Sequence, residues 1–270
     1  MLIDAFAENW FDTLCQRAAE LPPSRRMYLL LDGAFVPGLH TRLRKECKAI
    51  LFEELPGCTK EAEDVSPFLT PFERHEAVLK RLLKSCNRWP MVSAIETPES
   101  LEQLAARLSV WCLVDAAGQR FNFRFPDTRR LSHIFEMLSP EQRAQISGPA
   151  NYWSYIGRNG RWHGFELPGY DTSIAAAPTL DESQFSLLVS DSAADEMLVL
   201  LADRGMKVFQ HPSRSHALLV VALQTAQTVK LPDDELLDWC VWYWRQDCLH
   251  DSSDSLSMLQ AWRTKRSRRN

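Results

Sequence analysis

Met27-Tyr28-Leu29-Leu30-Leu31-Asp32-Gly33 is the stretch on which the fold turns. A short apolar run closed by an Asp-Gly pair is the pattern of a buried strand that turns sharply at a glycine, and it predicts the first core strand. Upstream, Phe6, Trp10, Phe11, Leu14 and Ala18 recur at close to helical spacing, which predicts an N-terminal helix within Asp4 to Leu21 that Pro22-Pro23 stops. Downstream, a polar helix over about Leu39 to Cys47 and short runs at Ala49 to Phe52 and Pro67-Phe68-Leu69 continue an alternation of strands and connections.

Farther along, Ala77, Leu79, Leu82 and Leu83 form an apolar stripe among charged residues, predicting a helix over Phe72 to Cys86 that covers one face of a sheet. Thr97-Pro98-Glu99-Ser100 reads as a capped helix start, with Leu101, Leu104, Ala105 and Leu108 as its buried stripe. Val110 to Val114 and Arg120 to Phe125 flank a glycine-containing loop and predict a hairpin. Helices follow from about Thr128 to Leu138 and from the Ser139-Pro140-Glu141 cap. A second hairpin, rich in aromatics, spans Tyr152 to Leu167 with its turn at Asn159-Gly160. Gly169 to Thr179 reads as a linker, and helices are expected over Asp181 to Arg204, His216 to Val229, Asp233 to Cys248 and Ser253 to Arg263. The fold class is α/β: a mixed α/β lobe over residues 1–150, a hairpin and linker over 151–179, and a smaller, mostly helical lobe over 180–270.

Composition narrows the function. The 270 residues are 45% hydrophobic, enough for a real core, and carry a net charge of −4, which gives no general attraction for nucleic acid. No apolar stretch approaches the roughly 20 residues needed to cross a bilayer, and Met1 to Trp10 lacks the basic start and apolar run of a secretory signal. The seven cysteines, at 15, 47, 58, 86, 112, 240 and 248, do not fall into close pairs and read as reduced thiols of a cytoplasmic protein. Arg263, Lys265, Arg266, Arg268 and Arg269 form a basic tail that reads as a solvated end or a contact for phosphate or an acidic surface.

The sequence specifies no cofactor and no metal site. It contains neither G-x-G-x-x-G nor G-x-x-x-x-G-K-[ST], and no G-x-S-x-G. His211 and His216 are badly spaced for a shared ligand on one helix face, with Pro212 reading against a helix there, and read as loop histidines; Cys240, beside Cys248 and His250 in a conceivable zinc set, sits in an apolar helix without a second close partner and reads as a core cysteine. Asp32 and Asp127 remain formal acid/base candidates, with His133 or His163 as base, for a small hydrolase or transferase. The densest unusual feature is Leu236-Leu237-Asp238-Trp239-Cys240-Val241-Trp242-Tyr243-Trp244, on a segment that otherwise reads as helical. Its apolar positions span about 260° of a helical wheel, well beyond one core-facing stripe, so Trp239, Trp242, Tyr243 and Trp244 are candidate core or partner-binding residues.

Tyr28-Leu29-Leu30-Leu31-Asp32-Gly33-Ala34, then Ser66-Pro67-Phe68-Leu69, then Arg124-Phe125-Pro126-Asp127-Thr128-Arg129-Arg130-Leu131 form an ordered set that resembles the DUF4123 family over about residues 27–150. Pro126 and Thr128 depart from that family's usual aromatic and proline. The resemblance implies a cytoplasmic, non-catalytic type VI secretion chaperone that binds one toxic effector and helps mount it on the spike protein VgrG. Partners would be the effector and VgrG, with no membrane and no nucleic acid. Arg124, Asp127 and Arg129 carry over as the family's charged motif; the physical reading is a helix-entry device in which Asp127 caps the following helix and the arginines pair with it or with neighbouring carboxylates, with direct partner contact as the alternative.

Overall fold

The computed structural model describes residues 1–53, 55–72, 77–170, 172, 177–246 and 252–267. The chain divides into two compact units, Met1–Leu188 and Val189–Asn270. The elements run α1 (Trp10–Glu20), β1 (Arg26–Leu31), β2 (Ala49–Ile50), α2 (Lys60–Val65), β3 (Phe68–Pro71), α3 (Ala77–Ser85), β4 (Val92–Thr97), α4 (Leu101–Ser109), β5 (Leu113–Ala116), β6 (Gln119–Asn122), α5 (Leu131–Met137), α6 (Pro140–Ser147), β7 (Tyr152–Ile156), β8 (Trp162–Glu166), β9 (Thr179–Leu180), α7 (Glu182–Asp203), α8 (Pro212–Thr228), α9 (Asp233–Arg245) and α10 (Ser252–Ser267). This is a mixed α/β architecture.

In the first unit a six-stranded sheet has the order β2-β3-β1-β4-β7-β8, antiparallel throughout. Its middle is covered on both faces, as the apolar run in β1 requires. Tyr28 and Leu30 join Leu69, Ile95 and Trp153 in one core, while Met27, Leu29 and Leu31 join Phe68, Val92, Ala94 and Ile156 in the other. The period of two divides one strand between two cores. Helices α4 and α5 contribute Leu104, Leu108, Leu131, Ile134 and Phe135 to the first core; α1 and α3 contribute Phe11, Leu14, Leu79, Leu82 and Leu83 to the second. Burying each Leu of β1 contributes about 1.5–3 kcal/mol. The predicted hairpin forms as β5 and β6, shifted so that Val110–Cys112, expected as strand, is a 3-10 turn; it makes a separate small sheet, which β9 joins in parallel through Asp115↔Thr179 and Ala116↔Leu180.

Four local expectations need correction. The polar helix expected over Leu39 to Cys47 is two 3-10 turns, Leu39–Arg42 and Lys45–Cys47, preceded by Gly38 at φ +72°. Instead of an i→i−4 ladder, the Lys48 ammonium donates to the carbonyls of His40 (2.6 Å) and Leu43 (3.3 Å). The cap of α4 is Ser100, which forms a full capping box with Gln103, so Pro98 precedes the helix. Pro212, read as an argument against a helix, stands at its first position, where the missing N–H costs nothing, and His216 lies inside α8. Strand β4 was not expected at all, and it is the strand through which β1 reaches β7. The expected helix over Phe72 to Cys86 begins among residues 73–76, outside the described residues; its described part is α3.

The second unit is helical. Residues 189–203 of α7 pack with α8, α9 and α10 around Leu198, Leu201, Leu219, Ala222, Trp239, Cys240, Tyr243, Leu259 and Trp262. No described helix in either unit is long and apolar enough to cross a membrane.

Candidate functional site

Asp32, at the end of β1, is buried, and its carboxylate accepts from the Ala34 N–H (3.1 Å), capping the 3-10 turn Gly33–Phe35. Its other oxygen accepts from Arg124 Nη2 at 2.7 Å. Burial pushes the Asp32 carboxyl above its usual range, Arg124 and the Ala34 N–H pull it down, and the nearby Asp127 charge raises it further. The net direction is upward, so desolvation outweighs the arginine.

The turn brings Phe35 over this pair. The Arg124 guanidinium carbon lies 5.2 Å from the Phe35 ring centroid and that of Arg129 5.7 Å, both within cation–π reach, while Trp89 stacks on the same ring at 5.9 Å. Asp127 is buried and receives a two-pronged Arg129: Nε to Oδ1 at 3.0 Å and Nη2 to Oδ2 at 2.7 Å, with the Arg129 backbone N–H on Oδ1 at 3.1 Å. Asp127 therefore organises the turn before α5 and does not cap the helix itself, whose first flanking residue is Arg130 with no side-chain cap. Two backbone bonds and one side-chain bond hold the loop to the sheet: Asp32 N–H to Met91 carbonyl (3.0 Å), Thr128 N–H to Pro90 carbonyl (3.0 Å), and the Thr128 Oγ1 hydroxyl to Ile156 carbonyl (2.7 Å).

Gly33 completes the arrangement. A Cβ built there lies 2.2 Å from the Ser66 carbonyl oxygen, so only glycine allows the turn to sit on this backbone. Ser66 is buried, accepts from the Phe52 N–H (3.0 Å) and donates to the Pro67 carbonyl (2.8 Å) just before β3. Segments 28–34, 66–69 and 124–131 thus meet at one end of β1.

Arg124, Asp127 and Arg129 lie together, as a set around Phe35 that also includes Asp32. Sequence reasoning missed Phe35, although its position in the turn after Asp32-Gly33 was the available signal. It also missed a second buried pair: Arg107 donates to Glu99 Oε1 through Nε (3.0 Å) and Nη2 (2.7 Å), to Gln145 carbonyl (3.2 Å) and to Thr172 carbonyl (3.0 Å). The acid/base combination is not assembled by these contacts. Asp32 and Asp127 each hold an arginine, His163 bonds Asn159 Oδ1 at 2.9 Å on β8, and His133 lies exposed on α5.

The aromatic helix α9 divides by burial. Trp239 and Tyr243 are interior, Trp239 donating Nε1–H to the Ala222 carbonyl at 2.9 Å, and they have no surface to give a partner. Trp242 and Trp244 are half-buried. The wide apolar arc reflects both deep burial and residual exposure. Burial pushes the Cys86 and Cys240 thiols up to about 12, consistent with core cysteines. Cys248, His250, Arg268 and Arg269 lie outside the described residues. Among the described residues no group of three His, Cys, Asp or Glu side chains could hold a metal ion.

No curated protein and no solved structure matches the chain. Residues 27–145 match the family described as Domain of unknown function (DUF4123), a stretch that contains all three segments meeting around Phe35.

Proposed function

We propose that the protein is a cytoplasmic adaptor that binds a type VI secretion effector and promotes its loading onto the VgrG spike. The observation that carries this reading is the pairing at the end of β1: both arginines of the charged motif are held by carboxylates, Arg124 by Asp32 and Arg129 by Asp127. Such groups fix a loop and leave a folded scaffold, and a helical unit with its own core is available for a partner. The resemblance noted in the sequence supplies the identity of that partner. Co-purification of the tagged full chain from its own cytoplasm, with mass spectrometry after a moderate salt wash, tests the reading. Recovery of one toxin-like protein, with or without VgrG, is the expected result; a clean protein with nothing bound refutes it.

A second reading, a small hydrolase or transferase using Asp32 or Asp127 as acid or base, draws on the raised Asp32 carboxyl. Turnover that vanishes in Asp32→Ala while the fold survives would favour it over the adaptor.

A further inference from the structure

A groove of about 350 Å³ lies in the second unit between α9 and α10, lined by Asp238, Trp242, Trp262, Lys265 and Arg266. Its floor is aromatic: Trp242 stacks on Trp239 at 5.6 Å with planes 23° apart, and Trp239 in turn meets Trp262 at 5.7 Å. Arg266 lies over the Trp262 ring at 5.4 Å. The volume is at the low end of ligand pockets, enough for one large side chain and a neighbouring polar group.

The charges in this groove do not balance. Asp238 is the carboxylate, and it faces two guanidiniums, Arg204 at 3.4 Å and Arg266 at 3.5 Å. Lys265 adds a third cation, exposed and with no carboxylate of its own among the described residues. Arg266 Nη1 is shielded from solvent and makes no hydrogen bond, since its 3.5 Å approach to Asp238 is an ionic distance without hydrogen-bond geometry. The rest of the Arg266 side chain is partly exposed beside the exposed Lys265, and a second carboxylate laid between them would neutralise the surplus charge.

We propose that the groove binds an acidic segment of the partner protein, its carboxylate between Lys265 and Arg266 and an adjacent apolar or aromatic side chain on Trp242. The partner's identity rests on the adaptor reading; the chemistry of the groove does not. A nucleotide could also stack on Trp242, but a phosphate chain is held by a longer run of cations than the pair Lys265 and Arg266 that lines the groove, and one carboxylate matches that pair. The chain's own Arg268 and Arg269 would add cations to a site already in excess.

The test is a titration of the full chain into a fluorescein-labelled peptide, Gly-Ser-Glu-Phe-Glu-Leu-Gly-Ser, followed by anisotropy. The twin with both Glu replaced by Gln and a labelled oligothymidylate are run beside it. Saturable binding is expected, weakened about tenfold or more in the Gln twin and in Lys265→Gln, Arg266→Gln and Trp242→Ala. Lys265 is exposed, so Lys265→Gln keeps the helical core intact, and an unchanged thermal melt documents this. Absence of binding, equal binding of the Gln twin, indifference to Lys265→Gln, or tighter binding of the oligonucleotide each overturns the proposal. Co-purification with the same variants separates it from the adaptor reading. A partner held by wild type and equally by Lys265→Gln and Trp242→Ala overturns the groove alone, whereas a wild type with no partner overturns the adaptor and leaves the peptide titration to decide the groove.

Discussion

Gly33→Ala adds one methyl group where the turn after β1 presses on the strand that pairs with it. The new Cβ would lie 2.2 Å from the Ser66 carbonyl oxygen and 3.1 Å from the carbonyl carbons of Ser66 and Val65. Ordinary contact lies near 3.5 Å, so a gap of about 1 Å must open. Both sides of that gap are backbone. Ser66 is held through Phe52 and Pro67, and the next residue but one, Phe68, pairs with Leu31. Retreat of either side loosens the Asp32–Arg124 clasp or the start of β3. Overpacking of this kind costs about 1–3 kcal/mol, and the rigidity of the contact puts Gly33→Ala at the upper end. The smaller unfolded-state entropy of alanine offsets about 0.4–1 kcal/mol, leaving a net loss of about 2 kcal/mol. Guanidinium unfolding should show a lower midpoint with an unchanged slope. Gly118→Ala is the control: φ is +74° there and nothing lies within 4 Å of a built Cβ, so only the dihedral cost of about 1 kcal/mol applies. A Gly33→Ala protein within about 0.5 kcal/mol of wild type would refute the close approach.

Arg107→Met leaves Glu99 buried without its counter-ion and should cost about 3–5 kcal/mol in the same unfolding assay, with much of the loss recovered when Glu99→Leu is added. Asp32→Asn should change the pH dependence of stability. The wild-type carboxyl titrates higher in the folded than in the unfolded state, so the folded protein holds its proton more tightly and this stabilisation is lost as pH rises through the folded value. Melting temperatures measured from acid pH upward should show that decline in wild type and not in Asp32→Asn. Trp239→Ala, deleting a fully buried indole and its hydrogen bond, should cost about 3–5 kcal/mol, while Trp242→Ala at its half-buried position should cost about 1 kcal/mol and act on binding; equal losses in calorimetry would contradict the division of α9.

Periodicity made much of the first unit legible. The run in β1, the two hairpins and the apolar stripes of α3 and α4 each announce their own burial. Strand β4 stayed hidden because three of its six residues, Ser93, Glu96 and Thr97, are polar although all six are buried. Glu96 is tolerated there because Arg17 reaches it from α1, and no local pattern can report a counter-ion 79 residues away. The 3-10 turns after Gly38 were illegible for a related reason, since Lys48 supplies their carbonyls with a donor from beyond the segment. For α9, sequence showed that the aromatic arc was too wide for one face but not which rings were interior. That depended on where Ala222 of α8 and Trp262 of α10 would meet Trp239.

The meeting of segments 28–34, 66–69 and 124–131 gives their joint occurrence a physical reason. Gly33 is required by the Ser66 carbonyl, Asp32 is tolerated in its buried position because Arg124 answers it, and the turn that carries Arg124 is held by Asp127 with Arg129. Removing any one leaves the others facing a clash or an unpaired charge. The two carboxylates and two guanidiniums also cancel, so as a set they present little net field to a partner. On the adaptor reading, selection among effectors must then come from groups whose charge is not already answered. The groove of Trp242, Lys265 and Arg266 has that property, and it lies outside residues 27–145, the stretch that matches the family.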